Sequence, residues 1–152
     1  MQTLDWAIGH FNDLTLNQLY AILVLRQEVF VIEQDCPYLD ADGKDQNSHH
    51  MMGFDDKGVL AAYSRICDPG VSYQEPAIGR IVTAYSFRGK GLGKELMIRS
   101  IQETENLYGS VSIRISAQKY LVDFYASFQF KIVGDEYMED GIPHVEMIRE
   151  RF

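Results

Sequence analysis

Apolar positions along the chain fall into short strand-like runs and three stretches of helical period. Leu4 to Phe11 is apolar enough for an opening strand. A helix is predicted from Thr15, because Thr15 and Gln18 are the residue types of a capping box, in which each side chain bonds the other's backbone N–H. Leu16, Leu19, Tyr20, Leu23 and Phe30 then recur at spacings of three, four and seven, the period of one helix face. Asp35, Pro37 and the acidic stretch Asp40-Ala41-Asp42-Gly43-Lys44-Asp45 end that helix in an irregular loop, since Pro and Gly disfavour continuation. Two strand-like runs, His50 to Phe54 and Val59 to Cys67, flank Asp55-Asp56-Lys57-Gly58, whose composition suits a hairpin turn. Asp68-Pro69-Gly70 stops the second run, and Ala77 to Ala84 predicts another strand.

Helical period returns in Leu92, Leu96, Met97, Ile101 and Tyr108, with Gly109 placed to stop it. Val111 to Ala117 is short and β-branched and predicts a strand. Leu121, Phe124, Tyr125 and Phe128 predict a further amphipathic helix. Lys131 to Met138 and Ile142 to Arg149 predict closing strands that turn at Glu139-Asp140-Gly141. The order β-α-β-β-β-α-β-α-β-β implies an α/β sandwich around a mixed, mostly antiparallel sheet. With 152 residues and neither repeat nor linker, one domain over 1–152 is expected.

Charge changes the picture. Fourteen Lys and Arg stand against 22 Asp and Glu, a formal net charge of −8. A nucleic-acid partner is not expected, because such binders carry a basic footprint that displaces counterions. Nor is a membrane partner, as no apolar run approaches the roughly 20 residues of a span. Without a basic-then-apolar leader, and with two cysteines (Cys36 and Cys67) outside any C-x-x-C spacing, a reduced cytoplasmic protein is expected. Neither cysteine has the His and amide setting of a thiol nucleophile. No metal is expected: a strand would point the adjacent His49 and His50 to opposite faces, and the Asp40 loop has Met51 where an EF-hand places its twelfth-position Glu. An anionic ligand must then be caught by a local cluster.

That cluster is Arg88-Gly89-Lys90-Gly91-Leu92-Gly93-Lys94, between a predicted strand and a predicted helix. Free N–H groups of a helix's first turn and the positive end of its dipole form an anion site. Glycines let a diphosphate approach the backbone, and Arg88, Lys90 and Lys94 add charge. A Walker A loop is excluded, since Arg88 replaces its first glycine and Glu95 its Ser or Thr. A dinucleotide fingerprint is excluded by the register of its third glycine.

Arg88-x-x-Gly91-x-Gly93 after the run Ile78 to Thr83 resembles motif A of the GNAT N-acetyltransferase superfamily. Gln118, Phe124-Tyr125 and Phe128-Gln129-Phe130 resemble its motif B, whose pattern is Asn, Phe-Tyr and Gly-Phe. The block Val29 to Tyr38, the Asp40-x-Asp42-Gly43 loop and Glu139 to His144 resemble the ElaA-type bacterial branch. Gln118 and Gln129 depart from the motif-B Asn and Gly. The resemblance implies a three-layer GNAT sandwich and acetyl transfer from acetyl-CoA to a primary amine of a small molecule or peptide, by direct attack in a ternary complex. It further implies that Gly89, Lys90, Gly91, Leu92, Gly93 and Lys94 hold the pyrophosphate. Ile81, Val82 and Thr83 would pair with pantetheine, the N–H near Val82 would polarise the thioester carbonyl, and Gln118 and Phe124 would flank the thioester.

Tyr125 stands at the family's general-acid position, and a phenol can protonate a departing thiolate. An ammonium acceptor also needs a base, for which Glu33, His49 and His144 are the candidates. The acidic residues Asp40, Asp42, Asp45, Glu139 and Asp140 would draw cationic amines or else be solvated loops. Exposed edge strands would allow pairing into a homodimer. A different reading from the same residues is an acyl-CoA-binding module without catalysis.

Overall fold

The computed structural model describes residues 3–151; Met1, Gln2 and Phe152, the ends of the expected 1–152 domain, lie outside the described residues. A single sheet organises the chain, from β1 (Asp5–His10), β2 (Ser48–Phe54), β3 (Leu60–Cys67), β4 (Ala77–Thr83), β5 (Ile113–Gln118), β6 (Lys131–Ile132), β7 (Tyr137–Glu139) and β8 (Ile142–Arg149). Its strand order is β1-β2-β3-β4-β5-β8-β6, with β7 also beside β8. Among the described residues only the β4–β5 pair is parallel. Helices α1 (Leu16–Arg26), α2 (Leu92–Tyr108) and α3 (Val122–Ala126) pack on it. Ile22 and Leu25 of α1 meet Met52, Tyr63 and Val82. Met97 and Ile101 of α2 meet Ile66, Ile78, Ile113 and Ile115. Tyr63 and Ile66 are an odd number of positions apart on β3, so the two cores lie on opposite faces of the sheet. This is the expected α/β sandwich around a mixed, mostly antiparallel sheet.

The capping box of α1 forms, with Gln18 N–H donating to Thr15 Oγ1 (3.0 Å) and Thr15 N–H to Gln18 Oε1 (2.9 Å). The buried face of the helix differs from the expected one. Leu16 and Tyr20 are 86% and 72% exposed, and the buried line runs through Ile22, Leu25, Arg26 and Val29. α1 is apolar on several sides, so periodicity alone offers two stripes, and the one the fold uses contains an arginine. After Arg26 the helix widens into a π-helical segment, Gln27–Glu33, where Gln34 N–H reaches back five residues to Val29 C=O (3.1 Å). Such widening often marks functional sites, and it carries Glu33 to the cleft described below. The expected strand Lys131 to Met138 is divided into β6 and β7, because Gly134 takes φ +90° and turns the chain out of the ladder.

Arg26 is fully buried yet fully paired. Its Nε donates to Asp40 Oδ2 and its Nη1 to Asp45 Oδ1, both at 2.7 Å. Arg65 of β3 donates from Nη1 and Nη2 to the two Asp42 oxygens (2.8 and 2.9 Å) and from Nη1 to Asp45 Oδ1 (3.0 Å). Arg80 of β4 donates to Asp40 Oδ1 (2.8 Å). Asp40 and Asp45 are therefore buried and Asp42, though exposed, is held by Arg65 and Arg80, so three arginines neutralise all three internally and none is a free attractor of cations. Below them His50 completes a polar chain. Its Nε2 faces the Asp45 carbonyl (2.9 Å), which can only accept, so Nε2 carries the hydrogen and Nδ1 accepts from the Tyr63 hydroxyl (2.7 Å).

Candidate active site

The site begins with two strands that part. β4 and β5 pair only at Ala77↔Arg114 and diverge from there. On its other edge β4 pairs with β3 through a bulge: Arg65 is opposite Gly79 and Tyr63 opposite Val82, so Arg80 and Ile81 face one residue. Arg80 takes φ +46° at that bulge, and its side chain reaches the Asp40 loop. Ala84 N–H donates to Ala61 C=O (2.8 Å). Backbone direction alternates along a strand, so Val82 also turns toward β3, while Ile81 and Thr83 turn their N–H and C=O toward the edge that β5 leaves, where the Thr83 C=O accepts from Arg88 Nε (3.3 Å).

A cleft of about 760 Å³ occupies this splay. Ile81, Val82, Thr83, Arg88, Gly93, Gln118, Phe124 and Tyr125 line it, as do Glu33 and His144. Lys90, Gly91, Leu92 and Lys94 instead line a neighbouring cavity of about 470 Å³ on the far side of the turn, and Gly89 lines neither. The expected pyrophosphate cluster thus straddles two hollows.

Gly89 and Gly91 adopt φ +80° and +74°, and Gly91 is the N-cap of α2. The helix ladder starts with Glu95 N–H to Gly91 C=O (3.3 Å), which leaves the N–H groups of Leu92, Gly93 and Lys94 ahead of it. Gly93 has no positive φ, and a Cβ built there meets no protein atom within 4 Å. Neither the backbone nor the packing demands glycine at that position, and a bare backbone facing a cleft is what a phosphate group requires. The residues present therefore fit a diphosphate-bearing substrate. Arg88 lies across the cleft mouth, its Nη1 donating to Glu33 Oε2 (2.7 Å).

Tyr125 is buried on α3 against Phe124 and Phe130. Burial pushes its phenol up to about 12, with a smaller push from Tyr120. Four residues later the chain leaves α3 through Gln129 at φ +73°, the left-handed exit that glycine would take without strain. His144 on β8 stands opposite Gln118 on β5. Its Nδ1 faces Ile142 C=O (2.8 Å), its Nε2 faces Glu139 Oε2 (3.2 Å), and its ring stacks on Tyr137. His49 is elsewhere. It pairs with Asp68 (3.2 Å), packs against His10 and Tyr108, and is absent from the cleft wall. Cys67 is buried at its strand end, and the Cys36 thiol donates to Asp140 C=O (3.2 Å).

The sequence reading missed the arginines 26, 65 and 80, together with Tyr38, Ser116 and Tyr73 on the cleft wall. The arginines' partners are far away in the chain, and no local spacing announces them. Tyr137, also missed, hydrogen-bonds Ser116.

The description "Acetyltransferase (GNAT) domain" matches residues 26–151. A UPF0039 protein of Synechocystis is 43% identical over 145 residues, covering 95% of this chain and 94% of its own. A solved acyl-CoA N-acyltransferase of Pseudomonas aeruginosa is 45% identical with TM-score 0.93, over 97% of this chain and 99% of that one. Escherichia coli ElaA superposes with TM-score 0.90 at 37% identity, over 97% and 100% of the two chains. Together with the splayed strands and the glycine turn, these likenesses establish that the chain belongs to the GNAT acetyltransferase family, among relatives of ElaA.

Proposed function

We propose that the protein moves an acetyl group from acetyl-CoA to a primary amine by direct attack in a ternary complex. The observation that carries this reading is the β4–β5 splay, with the bare Gly93 backbone on one wall and Tyr125 on the other. The name of the Pseudomonas relative, an acyl-CoA N-acyltransferase, supports it. The N–H groups of Leu92, Gly93 and Lys94 at the head of α2 bind the pyrophosphate, helped by the charges of Arg88, Lys90 and Lys94. The open edge at Ile81 and Thr83 pairs with the pantetheine amides as a further strand would, and Val82 packs beneath. The oxyanion donor that the sequence located near Val82 falls to the N–H of Ile81 or Thr83, which faces the splay. Gln118 and Phe124 close the other side.

Tyr125 supplies the proton for the leaving sulfur. With its phenol at about 12 against a thiol near 8.5, complete transfer is uphill by roughly 5 kcal/mol. The phenol thus enters turnover protonated over the whole working pH range and gives its proton to sulfur only in concert with the arrival of the extra proton from the new amide nitrogen. The reading is tested by thiol release from acetyl-CoA over a panel of small amines and peptides, with products identified by mass. Acetylated amine is the expected result. CoA binding with no turnover on any amine would favour a non-catalytic acyl-CoA-binding role instead.

A further inference from the structure

An alkylammonium acceptor has an unperturbed pKa near 10.4 and attacks only after losing a proton. Of the three candidate bases, His49 is remote from the cleft and the Glu33 carboxylate is engaged by Arg88 at the rim. His144 is 6% exposed, lines the cleft, and stands across the ladder from Gln118 at the end of β5. We propose that Nε2 of His144, backed by the Glu139 carboxylate, is the base that deprotonates the acceptor amine.

The geometry assigns the tautomer. A carbonyl only accepts, so the contact with Ile142 C=O (2.8 Å) places the ring hydrogen on Nδ1 and leaves the Nε2 lone pair free in the neutral ring. Once Nε2 takes a proton, the new cation lies 3.2 Å from the Glu139 Oε2 carboxylate oxygen, which stabilises it. The ring is held in place by stacking on Tyr137 (centroids 6.0 Å apart), itself tied to Ser116 by a hydroxyl bond. The groups facing or flanking the ring are Glu139 and Tyr137 of β7, Asp140 in the hairpin turn, whose carbonyl accepts from the Cys36 thiol, and Gln118 of β5.

The inference rests on the acetyl-transfer reading. R–NH₃⁺ gives one proton to Nε2, and the nitrogen lone pair forms the C–N bond to the thioester carbon while the carbonyl pair moves to oxygen. The oxygen pair returns, the C–S bond breaks, and its electrons go to sulfur, which takes the Tyr125 proton. The extra proton on the new amide nitrogen restores Tyr125, and His144 releases its proton to solvent. The sum is amide, CoA–SH and one proton.

The test uses the full chain and the fastest amine from the thiol-release panel. His144→Asn is expected to lower kcat about 100-fold or more, to leave CoA affinity by calorimetry within twofold, and to recover part of its rate with added imidazole. The acid limb of its kcat/KM–pH profile should disappear. Glu139→Gln, which keeps the imidazole in place, should lower kcat about tenfold with native circular dichroism, so a misfolded His144→Asn does not end the test. Turnover within threefold of the parent in both variants overturns the assignment. So does a 100-fold loss in Glu33→Gln beside near-parent His144→Asn. A parent that neither binds CoA nor turns over any amine instead overturns the acetyl-transfer reading beneath it.

Discussion

Stripping the guanidinium from Arg26 would leave Asp40 and Asp45 buried with half their partners. Breaking a buried ion pair by removing one member costs about 3–5 kcal/mol, so Arg26→Met should lose that much in urea unfolding while exposed Tyr20→Ala, away from any core, stays within about 0.5 kcal/mol. Gln129 offers a change of opposite sign. Its φ of +73° strains any residue with a Cβ, so Gln129→Gly should stabilise the fold by up to about 1 kcal/mol. Acid should act through His50, Asp42 and Asp45. Burial depresses His50, so the unfolded chain takes up that proton first and stability declines as pH falls below about 6.5. For Asp42 and Asp45 burial pushes upward, but the bonds from Arg65, and from Arg26 at Asp45, outweigh it and hold both carboxyls down. Their contribution is present above the unfolded carboxyl pKa of about 3.9 and lost below it. Urea midpoints measured from pH 8 to pH 3 should therefore fall in two stages, and a flat profile would contradict the buried network.

At the level of elements, the glycines divide by cause. Gly91→Ala forces a side chain into a left-handed N-cap and should destabilise by about 1 kcal/mol. Gly93→Ala, in regular helix with open space around it, should leave thermal stability unchanged or slightly raised. The strand-to-helix turn, the capping box and the α2 face were legible in the sequence because each is a local pattern of neighbours three or four apart. The splay has no local signature in the sequence, because it depends on a parallel pairing between residues 77 and 114 and on a bulge at Arg80. The α1 face was misread for a related reason: Arg26 counts as core only once Asp40 and Asp45 are folded against it. Likewise nothing around Lys131 marked the break at Gly134 as more than one glycine inside a strand.

For the whole molecule, the charge of −8 acquires a location. Three of the acids expected to attract cations are matched by three arginines, and the cleft itself carries Glu33, Asp42, Glu139 and Asp140 against Lys44, Arg65, Arg80 and Arg88. The cleft as a whole is therefore near formal balance, and the excess negative charge lies elsewhere on the surface. Steering scales with local field and is screened by salt. With a monocationic amine, kcat/KM should change by less than about threefold between 20 and 200 mM salt; a tenfold fall would restore the acidic acceptor surface that the sequence suggested. The central claim, that the bare backbone at the head of α2 and the splay beside it form a CoA site, is tested most directly by calorimetric titration of CoA into the parent and Gly93→Ala proteins. Saturable one-to-one binding to the parent, weakened at least tenfold by the added methyl without loss of fold, is predicted. No heat at millimolar CoA, or equal affinity in the two proteins, would contradict it.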